Sequence, residues 1–258
     1  MDWRQSRFTR HHNLLTGAAP ITGPIVDNGR TAGKKVGRKV AGGASPYVGG
    51  ASAVGDTVSL TSLSGGSGAS PIEGDVIVVF RGIGSTTDFD VQLSTAGFTE
   101  VADLFGPDTS DANLGVFYKV AGPTPDTAVS AVTTSGTRTI AVMVFRGINT
   151  TTPLDVTPTT LIGSNSATIN PPGITTATDN AIIVAGGSAA GTDTYPGTLP
   201  AGYSAFQWAQ QGGAVWSLTA MGYFVAGVAG VQSPATLGGS GNAALSGHAQ
   251  VTIALRPA

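Results

Sequence analysis

The sequence predicts an all-β chain: two antiparallel sheets packed face to face, preceded by an irregular basic arm. Three observations carry this. Short runs of Val, Ile, Phe and Thr recur along most of the 258 residues and are punctuated by Gly, Pro, Asn and Asp. Glycine (38 residues) and proline (15 residues) interrupt every window in which a helical period begins. The glycines keep no three-residue period, which excludes collagen. Charge also divides the chain: residues 1–46 hold eight basic and two acidic residues, and residues 47–258 hold five basic and thirteen acidic.

The arm, residues 1–46, shows neither strand nor helix periodicity. Its basic residues are Arg4, Arg7, Arg10, Arg30, Lys34, Lys35, Arg38 and Lys39, and Trp3 and Phe8 are apolar anchors among them. A solvated tail has no need of such anchors, so two readings stand side by side: a flexible leader, or an arm that orders on a partner. Trp3, Arg4, Arg7, Phe8, Arg10, Lys34, Lys35, Arg38 and Lys39 are the candidate assembly residues. No recognition helix accompanies the dispersed cations, so direct nucleic-acid binding is not expected.

Residues 47–258 read as a single β-sandwich domain. Strands are expected at Asp56–Leu60, Val76–Arg81, Phe89–Leu93, Gly97–Leu104 and Leu114–Val120. Ala128–Thr133 and Thr139–Phe145 flank the turn SGTR and read as a hairpin. Weaker signals cover Thr159–Ile162 and Ser166–Ile169. Stronger ones follow at Ala181–Ala185, Tyr203–Trp208, Ala214–Val228 and Ala249–Leu255. The last is apolar on both faces and is expected in the interior of a sheet. Eight to ten strands result. The expected inner face carries Ile77, Val79, Val116, Tyr118, Val142, Val144, Ile183, Trp216 and Ile253, an assignment that a one-residue slip inverts.

The phrase VFRGI occurs at Val79–Ile83 and again at Val144–Ile148. Each copy ends an apolar run, so Arg81 and Arg146 are read as strand-exit residues, with the stem over the core rim and the charge in water. Gly82 and Gly147 supply the bend. Asp90 and Asp155, each nine residues after its arginine, are the expected ion-pair partners. The flanks match too poorly to argue a tandem repeat of whole domains.

Chemistry-bearing motifs are few. Cysteine is absent, so disulfides and thiol nucleophiles are excluded. No zinc-protease, hydrolase-elbow or phosphate-loop pattern occurs. Of the three histidines, His11 and His12 lie in the arm and His248 precedes the last strand. Asp88, Asp90, Asp103, Asp108 and Asp111 crowd one region, but calcium-loop spacing is missing and Asx-turns are the plainer reading. No enzyme, cofactor or metal is expected. Tyr195, in the loop DTYPGTLPAGY with Gln207, Gln210 and Gln211 nearby in sequence, is the candidate glycan contact, whereas Trp208 and Trp216 read as core. No apolar run reaches membrane-spanning length. Charged residues make up only 11%, about half the usual share, as suits a surface covered in a larger assembly.

An ordered series of phrases resembles a domain of bacteriophage and prophage virion proteins. The phrases are GDVIVVF at Gly74–Phe80, GFTEVADL at Gly97–Leu104, VFYKVAG at Val116–Gly122 and TIAVMVFRGI at Thr139–Ile148. PLDV at Pro153–Val156, NPPGITTATDNAIIV at Asn170–Val184 and VTIALRP at Val251–Pro257 complete the series. Phe98 stands where that family has tryptophan. The resemblance covers about residues 55–258 and implies a jelly-roll-like antiparallel β-sandwich of capsid-decoration, head-fibre or tail-associated type, with no catalytic residues. Together with the composition, it leads to the expectation of a structural capsid-surface or minor head protein, docked through its arm. The expected partners are the major capsid protein or other virion proteins, and a homo-oligomer, with a trimer favoured. The expected location is the virion, assembled in the host cytoplasm. The alternative is a tail-associated receptor- or glycan-binding module.

Overall fold

The computed structural model describes residues 45–164, 169–190, 198–237 and 246–258. The candidate arm residues, Trp3 to Lys39, lie outside these, as does Tyr195. Among the described residues there are strands and no helix, and every ladder between strands is antiparallel.

The first half of the body contains β1 (Tyr47–Val54), β2 (Thr57–Ser59), β3 (Val76–Gly84), β4 (Thr99–Gly106), β5 (Ala112–Val120), β6 (Ala128–Ser130) and β7 (Thr137–Phe145). The second contains β8 (Thr159–Gly163), β9 (Ile174–Thr176), β10 (Ile182–Ala189), β11 (Ala205–Gln211), β12 (Ser217–Val225), β13 (Gly230–Gln232) and β14 (His248–Leu255). One five-stranded sheet runs β1-β7-β3-β5-β4 and the other β11-β12-β10-β14-β8; β2 pairs with β6, and β9 with β13. The sheets lie face to face, so the expected two-sheet architecture is present.

Each sheet is built by one half of the chain, and the two halves repeat one topology. Lettering the five main strands of a half a to e in chain order, both sheets run a-e-b-d-c. Both halves also set a short strand after a against a short strand before e. The registers agree as well. Val76 pairs with Val120 and Phe145, and Ile182 pairs with Val225 and Leu255. Ala121 N–H donates to Asp75 O at 2.8 Å, and Ala226 N–H donates to Ala181 O at 2.8 Å. Gly74 and Asn180, which enter the two equivalent strands, both have positive φ, 84° and 59°. The sequence argued against a tandem repeat of whole domains, and the backbone shows none: what repeats is half a domain, each half contributing one sheet of the sandwich.

Between the sheets, Val76, Val78 and Phe80 of β3 and Met143 and Phe145 of β7 meet Val184, Met221, Val251 and Ile253. Each such side chain contributes about 1.5–3 kcal/mol when fully buried. Tyr47, Phe145 and Tyr223 close this core at one end with ring centroids 4.9–5.8 Å apart. At another point small side chains let the sheets approach: Thr139 Oγ1 lies 2.7 Å from both Ser217 Oγ and Thr219 Oγ1. A second cluster covers the outer face of the first sheet with Ile77, Val79, Ile140, Val142 and Val144. These four valines and isoleucines from the expected inner face, Ile77, Val79, Val142 and Val144, therefore point outward, and Ile183 lies in a separate cluster with Ala226 and Ala254. The reason is that β3, β7, β10 and β14 are buried along nearly their whole length on both faces, so no alternation marks their inner side. Val116 and Ile253 do face the inter-sheet core, Tyr118 packs against it, and Trp216 stands half-buried just before β12.

Other expectations change. β6 and β7 do not form a hairpin: β6 pairs with β2, and β7 with β1 and β3. Phe89–Leu93 is not a strand, although Leu93 makes an isolated bridge to Ala131. The strand expected over Ser166–Ile169 falls largely outside the described residues. β14 is interior, between β10 and β8, as expected.

Candidate functional site

Arg81 is not at a strand exit. β3 continues to Gly84, and Arg81 pairs in mid-ladder with Gly115 on one side and Ile140 on the other. Its side chain is fully buried beneath the β1–β2 turn. Nη1 donates to Gly55 O at 2.8 Å and Thr139 O at 3.2 Å, and Nη2 donates to the Asp56 carboxylate. That carboxylate also receives Arg138 Nη1 and Thr133 Oγ1, both at 3.1 Å. Burial pulls the Arg81 pKa down to about 10, against the attraction of Asp56, and the group remains a cation at neutral pH. Asp90, its expected partner, accepts instead from Gln92 Nε2 at 2.6 Å on an exposed loop. Gly82 supplies no bend: a Cβ there would strike the hydroxyls of Thr219 and Ser188 across the sheets.

Arg146 does lie at an exit, one residue past β7, and Gly147 turns the chain with φ 74°. Its partner is Asp75, not Asp155. Nε and Nη2 each reach one Asp75 oxygen at 2.8 Å, a fork that holds the arginine pKa above its ordinary value. Asp155 is buried elsewhere. Burial alone would raise its pKa, but Ala177 N–H (2.7 Å), Thr178 N–H (3.2 Å), Thr178 Oγ1 (2.8 Å) and Arg256 hold it below the ordinary value. Topologically, the counterpart of Arg146 is Arg256: their N–H groups donate to Pro46 O at 2.7 Å and Pro153 O at 2.8 Å. Asp56 and Asp75 were missed as partners because ion pairing across 25 and 71 residues leaves no local signal. The signal available was indirect: a cation inside an apolar strand demands a carboxylate close by.

The acidic region separates into turns. Asp111 Oδ1 accepts the Asp108 N–H at 2.6 Å, and Asp108 Oδ1 accepts the Thr109 N–H at 2.6 Å. Asp103 is exposed as a residue, yet its carboxylate lies against the chain. Loss of solvent there, with Glu100, Asp90 and Asp88 adding repulsion and Val91 N–H opposing, pushes its pKa up to about 6. Among the described residues no group of three or more His, Cys, Asp or Glu side chains is arranged to hold a metal ion. His248 begins β14, where burial lowers its pKa and Nδ1 makes no hydrogen bond to the described residues.

The concave surface with the most convergent polar groups lies where β1, the edge of one sheet, meets β11, the edge of the other. Two adjoining clefts of about 380 and 490 Å³ share Ser52 and Gln207. The first is also lined by Tyr47, Ser204, Phe206 and Trp208, and the second by Ser59, Ser62 and Ser64. No lining residue of either is charged. Gly50 makes room for Gln207, whose Cγ would stand 2.6 Å from a Cβ at that position. Gln207 Nε2 donates to Tyr47 Oη at 3.3 Å, and Ser52 Oγ donates to Trp208 O at 2.6 Å. Burial pushes the Tyr47 hydroxyl up to about 12, so it stays protonated. Trp208 packs partly against the outer cluster of Tyr203 and Leu218, as expected for core, but it also lines the cleft.

Comparison with protein-family models, with curated proteins and with solved structures finds no match to this chain.

Proposed function

We propose that this chain is a structural protein of a phage particle, a capsid-surface or minor head protein. Its basic arm docks on the shell or on sister subunits, and the β body stands outward in a homo-oligomer, with a trimer favoured. The observation that carries this is an apolar, charge-poor rim on the body. Val54 and Ile162, at matching positions of the two edge strands β1 and β8, are 55% and 52% exposed, and Leu161 beside Ile162 is also exposed. β8 carries no charged residue to block edge pairing. Such edges suit a body whose rim is covered by neighbours. The division of charge supports the same reading, since a basic arm joins an acidic body at the edge strand β1.

The test is the solution mass, by light scattering, of the intact chain and of a chain beginning at Ser45, which retains every strand described. A trimer or larger ring that dissociates without the arm supports the proposal. A monomer in both refutes self-assembly through the arm.

A further inference from the structure

We propose that His248 is an acid-released latch on the edge strand β8: the neutral ring holds β8 against β14, and the protonated ring lets that edge go. The inference goes beyond the assembly role and does not rest on it.

The position of the ring is the first ground. Ala249 and Val251 point into the core between the sheets, so by alternation His248 and Gln250 lie on the outer face of β14. His248 pairs with Gly163, the last residue of β8, and with Ala189, the last residue of β10. Its ring lies over Gly163: a Cβ at that glycine would stand 2.5 Å from Nε2 and 2.7 Å from Cε1. The residue is 7% exposed, and Nδ1 is buried with no hydrogen-bond partner among the described residues. A neutral imidazole tolerates this, with Nδ1 as an idle acceptor. An imidazolium does not, because Nδ1 then carries a proton without an acceptor and the charge has lost its hydration. Gln250 Oε1 is also unpartnered, but that side chain leans over Gly187 on β10, away from β8.

The second ground is the lack of a counter-charge. β8, β10 and β14 contain no ionisable group besides His248 itself. β4, whose Gly106 packs against the His248 backbone, carries Glu100 and Asp103, and the turn after it carries Asp108 and Asp111. Among the described residues none of these forms an ion pair with His248. The sequence stretches 165–168 and 238–245 hold no charged residue, and 191–197 holds Asp193 alone. Burial, with no charged neighbour contributing, holds the ring's pKa below the ordinary imidazole value.

The third ground is the repeat, which shows what this site needs when it holds a cation. Phe145 and Leu255 are equivalent, each opposite the first residue of the neighbouring strand, Val76 or Ile182. Counting back along β7 and β14, Arg138 takes the place of His248. Gly55, whose N–H donates to Arg138 O at 2.8 Å, takes that of Gly163. The next residue is Asp56 in the first half and Ser164 in the second. Asp56 accepts Arg138 Nη1 at 3.1 Å. The second half therefore holds a side chain that is a cation only in acid, with an uncharged residue where the anion stands. A ring serving packing alone needs no nitrogen there.

With its folded pKa depressed, His248 contributes stability that is fully present above the unfolded value of about 6.5 and is lost as pH falls through the folded value. Asp103, at about 6, works in the opposite sense: its folded value is raised, so acid relieves it.

The test is amide hydrogen exchange by NMR of the intact ¹⁵N-labelled chain and of His248→Phe, between about pH 7.5 and about pH 4.5, with the imidazole signals followed in the same samples. Protection is expressed relative to the intrinsic rate at each pH. His248, identified by the signals that the variant lacks, is expected to titrate below about 6.5. Protection of β8 should fall about tenfold or more across the range in the parent, while that of β1, the equivalent edge, is kept. His248→Phe should show no such fall. Carboxylates, Asp103 included, are present in both proteins, so the difference isolates His248. Ser164→Asp, which supplies the carboxylate found in the first half, should raise the His248 pKa and abolish the fall; it decides the matter if the phenylalanine variant does not fold. A His248 that titrates at or above about 6.5, equal protection of β8 at both ends of the range, or a fall that persists in either variant overturns the proposal. Light scattering at each pH keeps assembly apart: loosening of β8 at constant mass is the latch, and loosening seen only with a change of mass counts against it.

Discussion

Replacing Asp56 with alanine is expected to destabilise the protein more than removing the arginine it serves. Arg81 has no exposed side-chain surface, and among the described residues Asp56 is the only anion in contact with it. Breaking a buried pair by deleting one partner costs about 3–5 kcal/mol, because the other charge stays buried and uncompensated. Here the lower end applies. One fifth of the Asp56 side chain is exposed, so water follows its removal, and the carbonyls of Gly55 and Thr139 still accept from Nη1. Arg138, a quarter exposed, adds no more than about 1 kcal/mol when it loses the same carboxylate. Asp56→Ala should therefore cost about 3 kcal/mol.

Arg81→Met removes the buried cation and keeps most of the stem. Asp56 retains Arg138 and Thr133, so the main loss is a buried carbonyl left without its donor, about 1–2 kcal/mol. The double variant should resemble Arg81→Met, since with the cation gone the carboxylate has less to do. Urea unfolding measures the three free energies, and thermal melts should show a fall of about 6–12 °C for Asp56→Ala in a domain of this size. A cost below about 1 kcal/mol for Asp56→Ala, or a double variant as unstable as Asp56→Ala alone, would refute the view that an uncompensated cation is the source of the damage.

Two further outcomes test the packing and the electrostatics. Gly82→Ala forces a methyl group against Thr219 and Ser188 where the sheets approach, and urea unfolding should show a loss of about 1–3 kcal/mol; an unchanged midpoint would mean that the sheets can separate without cost. Asp155 has a folded pKa below its unfolded one, so its stabilisation is fully present above about pH 4 and is lost as pH falls through the folded value. Asp155→Asn should accordingly be less stable at neutral pH, with the gap to the parent closing on acidification; a gap that widens at low pH would reverse the sign of this argument.

Much of the fold was legible in the sequence, and the parts that were not share a physical cause. β3, β5, β7, β10 and β14 stood out because they are apolar runs bounded by turn residues. Burial on both faces, which made them conspicuous, also erased the alternation that would have oriented them, hence the one-residue slip at Ile77 and Val79. β1 was missed because its sequence, YVGGASAV, has little strand propensity. Gly50 is there for the side chains of Tyr47, on the same strand, and of Gln207, which presses on the strand from a distant segment. The turn between β6 and β7 was read correctly as a turn, with Gly136 at φ 94°, but a turn fixes only a change of direction. Which strand pairs with which is settled by contacts far apart in sequence. The groove at Gln207 was illegible for the same reason: its walls come from residues 47–65 and 199–208.

The repeated VFRGI shows how far a visible repeat can stand from a structural one. Its two copies lie on β3 and β7, neighbours in one sheet, offset so that Arg81 sits opposite Ile140 while Arg146 lies beyond the ladder. Identical side chains therefore meet different surroundings: one arginine is sealed against Asp56, and the other forks onto Asp75 at the surface. The repeat that the backbone obeys runs between the halves and preserves hardly any phrase, only the Val-Ala-Gly at 120–122 and 225–227, a positive φ before β3 and β10, and an arginine after β7 and β14. A sheet is indifferent to which apolar residue fills an inward position provided that register, turn and parity are kept. Different residues meet those three constraints in the two halves, so the shared geometry is written in backbone hydrogen bonds such as Arg146 N–H to Pro46 O and Arg256 N–H to Pro153 O.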